Sequence, residues 1–322
     1  MRRIVPLLVL SALVVPATAA ALLTPGRTVT NTSTVSALSV THRSVVYAVG
    51  RSSADCGHVR LWDTATRGLW TFGSRTIRGC EEGPSGGFGI SQVSTSGRRV
   101  LWVTHIGGNF TDYQLWTATP TRTAPRRLAF ASVESGDPPA IVLGVGTQEG
   151  VPYAVGSTVT YVSDSGARLF RTTLDSPVRL LAAGPSFGDA RVVAALANGE
   201  VVVLSKSGAR LRTDEYDAGA VRAIQLAYGG PVVQAGDTVN LGPLTGGTKS
   251  TLPPGALMLD YRQRAILYRR AMQVRKRHVG TGADTLVRVI AVRPSQPMHF
   301  SVDWGSAWAQ GASVNWRSGP PI

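Results

Sequence analysis

GISQVSTSGRRVLWVTHIGGNFTDYQLWTATPTRTAPRRLAF, residues Gly89 to Phe130, contains four short segments separated by turn residues. Ile90 to Ser94, Arg99 to Thr104, Tyr113 to Thr119 and Arg126 to Phe130 each alternate apolar and polar residues, the signature of a half-buried strand. Ser-Gly, Gly-Gly-Asn and Thr-Pro punctuate them. The stretch is therefore one four-stranded unit, and the rest of the chain consists of variations on it.

Val35 to Gly73 is an earlier copy (VSALSVTH, RSVVYAVG, HVRLWDTATRG, LWTFG). A third begins at Ala140 and a fourth at Val178, and they echo one another: Ser163-Asp164-Ser165-Gly166-Ala167-Arg168-Leu169 recurs as Ser205-Lys206-Ser207-Gly208-Ala209-Arg210-Leu211. The fifth unit begins near Ala220 and the sixth near Ala256, while Met298 to Ser318 supplies only three strands. Arg27 to Thr34 is a lone Thr/Val-rich strand with no neighbour in sequence to pair with. Six full units and three-quarters of a seventh predict a ring in which this N-terminal strand completes the last sheet. Roughly 300 residues over seven units is about 43 per unit, inside the range for four-stranded blades. A six-fold ring is the alternative, at about 50 per unit, and leaves strands unassigned. No segment of ten or more residues has helical periodicity with caps, so the expected class is all-β.

The pattern resembles the β-propeller superfamily, in particular WD-repeat-like and TolB-like bacterial exported propellers, over essentially the whole chain after the leader. Leu61-Trp62-Asp63 and the turn through Gly68 resemble the strand-and-turn ending of a WD repeat, and Leu115-Trp116-Thr117 takes the same place in the next unit. The resemblance implies a scaffold used mostly for binding and occasionally for catalysis.

The chain opens with Arg2-Arg3, an apolar run from Ile4 to Val15, Pro16 and Ala17-Thr18-Ala19, which predicts a signal peptide over residues 1–19 cleaved before Ala20. The alternative is an uncleaved anchor, since Ile4 to Leu23 is about the length of a spanning helix. Residues 20–322 would then be a single propeller domain, secreted or periplasmic, with no later spanning segment. Lys and Arg outnumber Asp and Glu 33 to 19, a formal net charge of +14. Loss of the leader removes two arginines and leaves about +12, a field that favours anionic partners. The only cysteines, Cys56 and Cys80, are in an oxidising compartment most simply a disulfide, closing a loop of about 25 residues worth about 3 kcal/mol.

In a propeller, the loops joining second to third strands and those joining one blade to the next share a face. These are short in units three to six and long in units one and two, where they carry both cysteines together with Asp55, His58, Glu81, Glu82, His105, Asp112, Glu134 and Asp137. Loops longer than closure requires often carry function, so these residues are the expected binding face. The plainer reading is a solvated variable surface stapled by one disulfide. A second candidate is basic: Arg269, Arg270, Arg275, Lys276 and Arg277 lie in the sixth unit, a surface for an anionic polymer or simply a solvated sheet face. Nucleic acid is a poor partner for an exported chain with few interleaved aromatics.

Motifs for chemistry are sparse. Gly184-Pro185-Ser186-Phe187-Gly188 matches the G-x-S-x-G pattern of hydrolases, but a strand follows instead of a helix, so a β-turn is expected. The five histidines show no metal-ligand spacing, and no cofactor motif is visible. The tryptophans fall in strands, as packing between sheets requires. Asn31 and Asn109 head formal glycosylation sequons. The expectation is thus a monomeric, exported seven-bladed propeller that acts as a binding module at the cell envelope, for an envelope protein or an anionic surface polymer. The alternative is an envelope lyase or hydrolase using His58, His105 and the loop carboxylates of blades one and two.

Overall fold

The computed structural model describes residues 26–50, 57–73, 88–134, 137–187, 189–227, 230–242, 247–262, 264–289, 297–301 and 305–318. Residues 1–19, expected to be a leader, both cysteines with the disulfide expected between them, and Asp55, Glu81 and Glu82 lie outside the described residues. Twenty-eight strands form seven four-stranded antiparallel sheets, with no helix among the described residues. The count is seven and not six.

Each sheet is a meander, and strands are numbered along the chain. The first blade is β2 (Val35–Thr41), β3 (Ser44–Val49), β4 (His58–Asp63) and β5 (Leu69–Phe72). The second is β6 (Phe88–Ser96), β7 (Arg99–Ile106), β8 (Phe110–Thr119) and β9 (Arg122–Glu134). The third is β10 (Ile141–Leu143), β11 (Gly150–Val155), β12 (Thr158–Ser163) and β13 (Arg168–Thr173), and the fourth β14 (Val178–Phe187), β15 (Ala190–Leu196), β16 (Glu200–Ser205) and β17 (Arg210–Glu215). The fifth is β18 (Val221–Ala227), β19 (Gly230–Ala235), β20 (Thr238–Leu241) and β21 (Lys249–Thr251), and the sixth β22 (Leu257–Arg262), β23 (Ala265–Arg270), β24 (Gln273–His278) and β25 (Asp284–Val289). The last combines β26 (Met298–Ser301), β27 (Gly305–Gln310) and β28 (Ser313–Ser318) with β1 (Arg27–Thr30), which pairs antiparallel with β28 from Arg27 opposite Trp316 to Thr30 opposite Ser313.

The first strands contact one another in succession, β2 to β6, β10, β14, β18, β22 and β26, and β26 returns to β2. The strand period of two explains why this arrangement suits the sequence. In β15, Val192 and Ala194 pack toward the third blade while Val193 and Ala195 pack toward the fifth, so a strand that is apolar from Val192 to Leu196 is buried on both faces. Seven apolar clusters fill the seven gaps between blades. The gap between the seventh and first blades is filled by Val45, Tyr47 and Trp62 against Ala307, Val314 and Trp316. Among the described residues, that between the sixth and seventh has the smallest buried cluster, Leu267, Val274 and Val287, with Met298 packed against it.

Polar side chains stitch blade to blade. Gln92 of β6 donates to the Ile141 carbonyl at 3.1 Å and accepts from the Leu143 amide at 2.7 Å, so its side-chain amide substitutes for a strand residue. Gln234 of β19 does the same for β22, donating to Ala256 at 2.8 Å and accepting from Met258 N–H at 2.7 Å. The inner strand of the third blade ends at Leu143, short of the expected strand. Beyond it Val145 pairs in parallel with Ala182 of the next blade; Gly144 allows that approach, since a Cβ there would lie 2.9 Å from the Leu181 carbonyl oxygen, while Gly146 allows close approach to the second blade, where a Cβ would lie 2.4 Å from the Thr95 carbonyl oxygen.

The recurring Ser-x-Ser-Gly-Ala-Arg sequence is one turn used twice. Ser163 Oγ accepts from Ala167 N–H and Ser205 Oγ from Ala209 N–H, with Gly166 and Gly208 at φ +91° and +85°, where a side chain would be strained. Gly184 to Phe187 continues strand β14 where a turn was expected; a Cβ on Gly184 would meet Leu226 of the neighbouring blade at 2.6 Å, so that glycine serves packing.

Candidate functional site

Antiparallel order sorts the connections into two sets. Those after each second and fourth strand emerge on what is here termed the upper face, and those after each first and third strand on the lower face. On the upper face, between the first and second blades, lies a cleft of about 390 Å³ lined by Thr34, Ser36, Val49, Gly50, Gly57, Gly89, Ile90 and His105. Its floor is rich in glycine, which leaves room: a Cβ on Gly89 would sit 3.3 Å from the His105 ring. His105, at the upper end of β7, packs its ring against Tyr113 with centroids 6.4 Å apart.

The predicted loop residues do not all converge there. Of those described, His105 lines the cleft, while His58 begins β4 opposite Val49, one of the cleft residues. Asp112 and Glu134 belong to the long β8–β9 hairpin, and exposed Asp137 donates its N–H to the Glu134 carbonyl at 3.1 Å. No carboxylate is among the described lining residues, and no cluster of three metal-ligating side chains occurs among the described residues.

A feature not anticipated from sequence lies on the second blade. Trp116 packs toward the first blade, and the two-residue period places Gln114, Asp112 and Phe110 on the same side. Phe130 opposes Gln114, Glu134 opposes Phe110 and Ile106 opposes Asp112, so all share that side of the sheet. β8 and β9 run 10 and 13 residues against 6 and 4 for β4 and β5, so their upper ends extend past the sheet they face. Phe110 is 59% exposed, Phe130 50% and Ile106 43%, with Arg127 over the Phe130 ring at 5.9 Å. The alternation was readable in sequence, but the length mismatch with the neighbouring blade was not.

The basic run of the sixth blade is divided by the pleat. Arg275 and Arg277 lie with Tyr268 around Asp284: Tyr268 Oη donates to the carboxylate at 2.6 Å, Arg275 approaches at 3.2 Å and Arg277 at 3.7 Å. Burial and the Asp284 carboxylate push the Tyr268 phenol up to about 12. Lys276, opposite Leu267, lies on the other side of the sheet with Arg269, whose guanidinium donates to the Ala271 carbonyl and is lowered by burial. Arg270 is exposed at the upper end of β23.

Two sequence motifs acquire structural roles. The Asp63 of Leu61-Trp62-Asp63 ends β4 and accepts the N–H groups of Ala65 and Thr66; partial burial would raise its carboxyl, but those bonds hold it below the ordinary value. Asn31, head of a sequon, is buried, with its side chain held by the Ala312 carbonyl, Tyr47 and Arg60. Asn109, head of the other, is exposed.

Fold and site together define a seven-bladed β-propeller with a cleft between two blades and an apolar edge beside it. Solved structures similar to this chain include a WD40 domain. Saccharomyces cerevisiae Sqt1 matches with a TM-score of 0.51 at 12% identity, covering 91% of this chain and 98% of that one. A chain of the mitotic checkpoint complex matches with a TM-score of 0.57 at 12% identity over 99% of both. The Pan2 WD40 domain of Neurospora crassa matches with a TM-score of 0.50 at 13% identity over 89% and 90%. No protein-family model and no curated protein sequence matches.

Proposed function

We propose that this chain is an exported, monomeric propeller of the bacterial envelope type that binds a protein partner through the upper edge of its second blade and the adjoining cleft. The observation that carries this reading is the grouping of Ile106, Phe110 and Phe130 on one side of an overhanging hairpin, bordered by Asp112 and Glu134. Exposed aromatic residues ringed by polar ones are the usual anchors of protein interfaces. The presence of a similar propeller in a solved multi-protein assembly supports use of the fold in this way. The leader-like sequence supports the extracytoplasmic setting.

A photo-crosslinking residue placed at Phe110 or Phe130 of the full chain, expressed in its native host, tests this. A discrete adduct from both positions, absent from a crosslinker at Leu211 on the fourth blade and lost on Ile106→Asp, is expected. Equal adducts at all three positions, or none at Phe110 and Phe130, would overturn the reading. The enzyme alternative needs two acid–base groups in one cleft. Among the described lining residues His105 is the one acid–base side chain.

A further inference from the structure

Among the described residues, the connections on the two faces of the disc differ in charge, although Asp175 and Asp237 of the upper set are paired with Arg210 and Arg222. The described connections on the upper face contain Asp137, Asp175, Asp217 and Asp237 and, among the described residues, no lysine or arginine. Those on the lower face contain Arg43, Arg67, Arg98, Lys206 and Arg264 against Glu149, Asp164 and Asp189.

The lower carboxylates are already engaged. Glu149 pairs with Arg191 at 3.3 Å and Asp189 with Lys206 at 3.5 Å. Asp164 accepts the backbone N–H groups of Arg98 and Arg99 at 3.2 and 3.0 Å, while Arg99 Nε donates to its carbonyl. Arg43, Arg67, Arg98 and Arg264 are exposed and form no ion pair within 4 Å among the described residues, although the Asp63 carboxylate lies within electrostatic reach of Arg43. Arg122, Arg168 and Lys249, exposed at or near the lower ends of the outer strands, add to them.

β1 also begins on this face, at Arg27. Upstream in sequence lies the apolar stretch Ile4 to Leu23, separated from Arg27 by Thr24-Pro25-Gly26. Three extended residues span roughly 10 Å, close to the Debye length of about 8 Å at physiological salt. A retained apolar run would hold these cations within electrostatic reach of a bilayer.

We propose that the lower face docks on an anionic phospholipid surface, leaving the upper face and its acidic connections directed away from the membrane. The inference rests on the exported setting proposed above but not on the partner site of the second blade. Cations spread over the lower connections of several blades suit a planar array of headgroups, whereas a linear polymer would be better met by a groove. Each cation near such a surface contributes additively, and the contribution falls off with salt.

Flotation of the full chain with vesicles of phosphatidylcholine, alone or with about 30% phosphatidylglycerol, tests the proposal. Anionic lipid is expected to raise partitioning about tenfold or more at low salt and to have little effect near 0.5 M. Arg43→Glu/Arg98→Glu/Arg264→Glu should abolish the anionic-lipid increment. The charge-matched set Arg179→Glu/Arg222→Glu/Arg270→Glu, near the upper ends of their strands, should retain most of it. Circular dichroism checks that each variant folds, and Arg98→Glu alone serves if a triple variant does not. An increment of zero, or an equal loss in both sets, overturns the proposal. Capture of soluble dextran sulfate through Arg43, Arg98 and Arg264 without any preference for anionic vesicles would replace the membrane by a polymer. Crosslinking at Phe110 reads the opposite face, so the two proposals fail independently.

Discussion

The backbone N–H of Val40, on the inner strand of the first blade, donates a 2.8 Å hydrogen bond to Nδ1 of His299, on the inner strand of the seventh. Two residues 259 positions apart in sequence thus join where the ring meets itself. The acceptor must be unprotonated, so the ring proton sits on Nε2. His299 keeps some accessible surface, yet its ring is enclosed closely enough that desolvation pushes it down to about 4.

This sets a pH dependence with a definite sign. Between about 4 and the ordinary histidine value near 6.5, the unfolded chain binds the proton and the folded chain does not, so stability rises with pH across that window. The contribution is fully present above pH 6.5 and lost as pH falls toward 4, amounting to at most about 3 kcal/mol. Urea unfolding of the wild type and His299→Gln at pH 7.5 and 4.5 checks it. The variant should lose less stability on acidification, and equal losses would remove His299 from the account.

The pairing of β1 with β28 predicts that the N-terminal strand helps hold the last blade. Val29 lies opposite Val314 and packs against the cluster between the seventh and first blades. Val29→Asp is expected to cost about 1–2 kcal/mol and to speed amide exchange along β28 before the fourth blade is affected. Unchanged exchange in β28 would mean that the ring stays shut without this strand.

Gly146 tests the crossing between the second and third blades. Its carbonyl accepts from Thr41 at 3.3 Å, its N–H donates to Ser94 Oγ at 3.1 Å, and an added Cβ would lie 2.4 Å from the Thr95 oxygen. Gly146→Ala should destabilise the protein by about 2–3 kcal/mol through forced backbone displacement. Gly156→Ala controls for a simple loss of glycine, since no atom lies within 4 Å of its Cβ position, although its φ of +55° carries a local cost.

Gln234 is fully buried and satisfies the Gly236 and Ala256 carbonyls and the Met258 N–H. Gln234→Leu keeps comparable volume but strands these groups, and a loss of about 2–4 kcal/mol is expected from equilibrium unfolding. A loss below about 0.5 kcal/mol would show that water replaces the amide without cost.

The repeat was legible because each blade is built locally. Apolar runs such as Val100–Val103, which is buried on both faces where alternation was expected, and turns such as Ser205-Lys206-Ser207-Gly208 are properties of neighbouring residues. The lone N-terminal strand and the three-stranded remainder near the C-terminus also pointed to a shared sheet, because an unpaired strand must find a partner for its backbone groups. Less was legible of the site. Asp112 and Glu134 were singled out as loop carboxylates, but they belong to strands, because the β8–β9 ladder continues to the Phe110–Glu134 pair.

Composition, periodicity and unit count were enough to specify an all-β ring, since hydrophobic alternation and turn chemistry act over a few residues. They could not specify which side chains cross from blade to blade. The bonds from His299 to Val40, from Gln92 to β10 and from Thr41 to Thr95 depend on how the sheets meet. The same is true of the exposed Phe110 and Phe130, and of the division of charge between faces. Those relationships exist only after the ring has closed and brought distant segments within hydrogen-bonding distance.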